Sequence, residues 1–203
     1  MPLDLPSALV TLLVTVDPLG LSPIFLALTR DHAARDQRRI AAEACLAGFG
    51  ILAGTALLGR WLLAQLGIDM ASFRIAGGLL LFAIAFEMIF DRRQSRKDDA
   101  AQRRDSPAMF PLAIPLLAGP GAMTATVLLA GRAGGDPLGM TALLLIIALV
   151  LMSAYIAFRL APGLARIMGS RGQIVFHRLL GVILAALAVQ YVIDGLLAIS
   201  RAH

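Results

Sequence analysis

The chain has 203 residues, of which 59% are hydrophobic and 15% charged, with a formal net charge of +5 and a mean hydropathy of +0.81. A water-soluble domain of this length would carry about 25% charged residues, so the composition excludes an ordinary soluble fold and points to the membrane. The basic excess then reports topology, not nucleic-acid binding.

Six stretches approach the roughly 20 apolar residues that cross a bilayer. They are 8–28, 40–58, 75–90, 109–131, 139–158 and 179–199. Residues 1–12 hold no Lys or Arg, so the first stretch lacks the basic leader of a cleavable signal peptide. The expected architecture is all-α and integral to the membrane: a first three-helix repeat over 1–90, a cytoplasmic linker over 91–106 and a second three-helix repeat over 107–203, together one membrane domain. An odd number of spans per repeat places the two copies upside down relative to each other.

The first span contains Val16-Asp17-Pro18-Leu19-Gly20-Leu21-Ser22-Pro23. Proline inside a helix removes a backbone donor and clashes with the preceding turn, at about 3 kcal/mol, so the span is expected to break there. Asp17 stands directly before the break. An ionisable group at that depth costs at least about 2.5 kcal/mol and faces a cavity or a partner. It can hold a substrate ammonium, a cation or a proton, or it can cap the broken helix. The half-helix that follows is expected to begin near Ser22.

In the second span the lone Cys45 excludes an intramolecular disulfide, and no Cys/His spacing fits zinc. Gly50 and Gly54 suit close helix packing in lipid. Glu87 lies near the end of the third span. Basic residues crowd loops 30–39, 91–106 and 159–178, fourteen in all, against only Arg60, Arg74, Arg132 and Arg201 on the other side. Basic loops stay in the cytoplasm, so both termini are expected outside it. The hydrophilic segment 91–106 reads as a mobile linker facing anionic lipid.

The fourth span repeats the break of the first, with Pro115 followed by Ala118-Gly119-Pro120-Gly121. Its second half is expected to begin near Thr124. Unpaired N–H groups and the positive dipole end make such half-helix starts receptors for a carboxylate. Ala118 matches Asp17 in this alignment, so the two breaks differ chemically. Ala161-Pro162-Gly163 should end the fifth span. The sixth carries Gln190 and Asp194 one turn apart on one face. Phe73-Arg74-Ile75-Ala76-Gly77 answers His177-Arg178-Leu179-Leu180-Gly181 across 104 residues. Arg74 and Arg178 read as anchors that reach the head groups.

These stretches carry a family resemblance over essentially the whole chain. Asp17-Pro18-Leu19-Gly20 with Pro23-Ile24-Phe25, Pro111-Leu112-Ala113-Ile114-Pro115 running into Ala118-Gly119-Pro120-Gly121, and Arg178-Leu179-Leu180-Gly181 leading to Gln190 and Asp194-Gly195 together resemble the MarC-type family of bacterial inner-membrane proteins. The resemblance implies six spans and membership of a group described as small neutral amino acid transporters. One departure is Leu21, where many relatives carry Asn, which removes an amide from the expected site.

The expected function is secondary transport of a small zwitterion, such as a neutral amino acid, across the bacterial inner membrane. The expected binding residues are Asp17, Pro18, Gly20, Ser22, Gly119, Pro120, Gly121 and Thr124, with Glu87, Gln190 and Asp194 as coupling or supporting groups. The partners are the solute, H+ or Na+ as candidate coupling ion, and the lipid bilayer. No metal, cofactor or nucleic acid is expected, and the oligomeric state is open. A channel or exporter, or a membrane assembly factor using the basic loops, is the alternative. No Ser/His/Asp set or metal cluster suggests an enzyme: His32, His177 and His203 all lie outside the spans.

Overall fold

A computed structural model describes residues 4–30, 32–90, 108–134 and 136–200, with backbone alone at 109–111, 115, 164–171, 173 and 176–177. The expected linker therefore falls outside the described residues. Among those residues every element is helical: α1 (Leu5–Val16), α2 (Pro18–Leu28), α3 (Ala34–Gln65), α4 (Met70–Ile89), α5 (Ala108–Leu117), α6 (Pro120–Ala133) and α7 (Pro137–Ser200).

Among the described residues, five stretches are long and apolar enough to cross a membrane: Leu5–Leu28, Ala34–Gln65, Met70–Ile89, Pro137–Gly163 and Arg178–Ser200. The expected span over 109–131 is divided between α5 and α6, with its break at Ala118-Gly119, inside the stretch where the sequence places one. Here α5 is a π-helix, and the wide turn closes with the Ala118 N–H donating to the Ala113 carbonyl at 2.9 Å. Pro111 and Pro115 remove two donors from this segment, which favours an irregular ladder over a regular α-helix.

Helix α7 runs through Pro162 without ending, against expectation. Neighbouring groups can satisfy the carbonyl that a proline frees inside a membrane helix. A straight helix of 64 residues would reach roughly 96 Å at about 1.5 Å per residue. Yet a methyl group on Gly139 would sit 3.3 Å from the Ala133 side chain of α6, and Asp194 pairs with Arg132 of the same α6 at 2.7 Å. The two ends of α7 thus lie on one side of the molecule, and the chain reverses between its two apolar stretches.

The C-terminal stretch of α7 packs antiparallel on α4. Gly78 makes the closest approach to backbone in this pair: a methyl group there would sit 2.8 Å from the Ala188 carbonyl oxygen. Gly195 meets Ala71 and Ile75 at one end of the pair, and Gly181 meets Ala85 and Met88 at the other. Small residues at the seam let the backbones approach where lipid leaves no hydrophobic drive between helices. The buried core joins Leu12, Leu21, Leu52, Leu81, Leu117, Leu128 and Ile147, whereas Leu57, Trp61, Leu138, Leu145 and Leu179 are exposed. That outward apolar surface suits a bilayer.

Candidate functional site: two facing helix interruptions

The first interruption is a single residue. Asp17 has φ 58° and ψ 62° and is the only non-glycine residue with positive φ among the described residues. Left-handed backbone costs an L-residue roughly 1–2 kcal/mol, and Asp is among the few that adopt it. The same residue ends α1 and begins α2. Its N–H donates to the Leu13 carbonyl at 2.9 Å, and its Oδ1 accepts from the Gly20 N–H at 3.1 Å. It is fully buried.

The half-helix therefore starts at Pro18, earlier than the sequence reading expected. Proline suits this first position because its missing N–H would have been unpaired there. Gly20, Ser22 and Pro23 all lie inside α2. Ser22 is buried and donates to the Pro18 carbonyl at 3.0 Å, so its hydroxyl serves the helix interior.

The second interruption spans Ala118 and Gly119. Gly119 is extended (φ −79°, ψ 170°) and precedes Pro120, the first residue of α6. The structural partner of Asp17-Pro18 is thus Gly119-Pro120, which replaces the alignment with Ala118. No side chain caps α6. Its first free donors are the Gly121 and Ala122 N–H groups, since the Met123 N–H already donates to the Gly119 carbonyl at 2.9 Å. Gly121 is buried and lies so close to Ile84 of α4 that a methyl group would collide with it. Thr124 is one turn further on, with its methyl turned toward Gly77.

Helix α1 packs on α6, and α2 touches α5. Each half of one broken helix therefore meets the opposite half of the other. Two broken helices running antiparallel would pair in this way, with their interruptions near one level. Both α2 and α6 begin at that level, so two positive dipole ends converge on it, and one buried carboxylate stands between α1 and α2.

Thr11 and Thr15 extend a buried polar line along α1 toward Asp17. Their hydroxyls donate to the Ser7 and Thr11 carbonyls at 2.7 and 2.9 Å. Two cavities lie elsewhere. One of about 190 Å³ is lined by Phe25, Gln37, Arg38, Phe158 and Arg159, over a stacked Phe25–Phe158 pair with centroids 4.6 Å apart. The other, about 410 Å³, is an apolar groove beside Cys45, Phe49 and Tyr155.

The remaining expected site residues separate into two places. Glu87 is half-buried near the end of α4 that faces Gly181. Gln190 and Asp194 sit at the opposite end of the same helix pair, roughly 20 Å away by helical rise. There Asp194 Oδ2 accepts from Arg132 at 2.7 Å and Oδ1 accepts from Gln190 at 2.8 Å. The Arg132 guanidinium also covers the Tyr191 ring, 4.5 Å from its centroid. Arg132 and Tyr191 did not stand out in the sequence. Arg132 and Asp194 are 62 positions apart, and only the folded chain joins them.

The MarC family integral membrane protein model matches residues 4–200 of the chain. Several relatives named UPF0056 membrane protein are similar over nearly full length. That of Archaeoglobus fulgidus is 36% identical over 190 residues, covering 92% of this chain and 89% of its own. That of Aquifex aeolicus is 33% identical over 194 residues, covering 93% and 90%. The UPF0056 membrane protein YhcE of Escherichia coli is 32% identical over 190 residues, covering 91% and 88%. No solved structure matches the chain. The apolar helices, the paired interruptions and these full-length similarities lead to one assignment: the chain belongs to the MarC family of integral membrane proteins.

Proposed function

We propose that the protein is a secondary transporter that moves a small zwitterion, with a small neutral amino acid as the best fit, across the bacterial inner membrane. The observation that carries this reading is the pairing of opposite halves of the two broken helices, α1 with α6 and α2 with α5, one interruption bearing a buried carboxylate and the other bare N–H donors. A zwitterion complements both: its carboxylate goes to the Gly121 and Ala122 N–H groups, and its ammonium goes to Asp17. Inverted three-helix repeats, with the termini outside the cytoplasm, would let one repeat rock against the other around this point. An H+ or Na+ gradient would drive uphill movement. On this reading the chain is a carrier and not an enzyme.

The test is uptake and counterflow of labelled alanine, glycine and serine by purified protein in liposomes, with and without a proton or sodium gradient. Saturable counterflow supports a carrier. Flux that never saturates points to a channel, and no flux of any of the three removes the substrate class.

A further inference from the structure

Among the described residues, only two buried side-chain polar atoms lack a hydrogen-bond partner, and both lie at the outer end of the α4–α7 pair: Arg74 Nε and Tyr191 Oη. Leaving such a donor unmet inside a protein costs about 1–3 kcal/mol, more for a charged group. Tyr191 is only 1% exposed. Thr11 of α1 stands near its hydroxyl, but the Thr11 proton goes to the Ser7 carbonyl at 2.7 Å, and no bond of good geometry joins the two residues.

Helix register brings the two orphans together. Gly78 abuts Ala188 and Val192, and Gly195 abuts Ala71 and Ile75, so Arg74 falls at the level of Asp194, about one turn from Tyr191. Arg74 and Arg132 both act electrostatically on the Tyr191 hydroxyl.

The partners of the groups around this point give the same direction. Two guanidiniums face this point and one carboxylate, Asp194, answers them through Arg132. The other acids nearby are committed to helix starts: Asp69 accepts from Ala71 and Ser72, and Asp136 from Leu138 and Gly139. Two unmet donors, Arg74 Nε and the Tyr191 hydroxyl, remain beside the Arg132–Asp194 pair. A single carboxylate supplies one negative charge and acceptor lone pairs for both donors.

We infer that Arg74, Arg132 and Tyr191 form a second, outer site that takes one carboxylate group of a small solute. Thr11 and Thr15 link this site along α1 to Asp17, so it would be the first stop of the solute on its way in or the last on its way out. The identity of the solute rests on the transport reading above; the carboxylate site itself does not.

The test uses acetate, which has no ammonium and makes no demand on Asp17. Melting temperature is followed in a neutral maltoside detergent, with chloride at matched ionic strength as control. Acetate should raise the wild-type value saturably, by roughly 5 °C. Arg74→Gln should lose the rise, and Tyr191→Phe, which keeps the ring under Arg132, should weaken acetate binding about tenfold. Asp17→Asn should respond as wild type does. If acetate acts no differently from chloride, or Arg74→Gln keeps the full response, the site is refuted. A response to added phosphatidylglycerol alone would assign these groups to a lipid head group and overturn the solute site. Should Arg74→Gln fail to fold, Tyr191→Phe decides, since an unchanged acetate affinity there refutes the site. An acetate response without alanine transport would uphold this site and reject the Asp17 reading.

Discussion

The two interruptions are built alike and finished differently. Each ends one helix and starts another at a proline, Pro18 or Pro120, one residue after the turn. At the first, Asp17 takes a left-handed conformation and its own carboxylate accepts from Gly20. At the second, Gly119 is extended and no side chain covers the α6 start. The first break thus supplies negative charge and the second supplies unmet donors. On the proposed reading, this asymmetry is what suits the pair to a ligand carrying both charges.

The largest expected effect comes from removing the carboxylate while keeping the turn. Asn tolerates left-handed backbone and caps helices about as well as Asp. Asp17→Asn should therefore fold within about 1 kcal/mol of wild type yet lose at least about 100-fold in alanine counterflow, as expected for an unpaired charge partner. Liposome counterflow beside thermal melting separates the two. Asp17→Ala should lose transport as well and also destabilise, by roughly 2–3 kcal/mol, because Ala neither caps nor suits positive φ. Equal stability of the two variants would deny the backbone role.

A smaller effect should follow from making the second break resemble the first. Gly119→Asn offers α6 a side-chain acceptor, which changes stability by only a few tenths of a kcal/mol. It should compete with the solute carboxylate for Gly121 and Ala122 and raise the KM for alanine about tenfold, a loss of roughly 1.4 kcal/mol. An unchanged KM would remove the α6 start from the site.

The smallest effect belongs to Asp69, a third cap that serves as the ordinary case. It starts α4 from extended backbone at the exposed surface. The Ser72 hydroxyl, followed by the Ser72 and Ala71 N–H groups, holds its carboxyl below the usual carboxylate range. A lowered pKa means the cap contributes above about pH 4, the unfolded value, and is lost as pH falls through the lowered one. Wild type and Asp69→Ala should differ slightly in melting temperature at pH 7 and converge at low pH, with transport at pH 7 unchanged.

What could be read from the sequence follows what local chemistry controls. Asp17-Pro18 and Gly119-Pro120 mark both interruptions because a proline acts on the turn beside it. The starts of the half-helices moved by a few residues because Pro18 sits first in its helix, leaving Gly20, Ser22 and Pro23 inside. The π-helix at Ala108–Leu117 and the passage of α7 through Pro162 depend on packing that no local rule supplies. The cluster around Arg132 was hidden for the same reason: Arg132 and Asp194 meet only when α6 and α7 pack, and Arg74 alone resembles any interfacial arginine.

The central claim is that Asp17 reads an ammonium opposite the α6 start, and the difference between alanine and acetate stabilisation of the purified protein tests it most directly. Both ligands carry a carboxylate, and only alanine carries the ammonium. The account predicts that wild type is stabilised more by alanine than by acetate and that Asp17→Asn responds to the two alike. An Asp17→Asn protein that keeps the full alanine excess would contradict it.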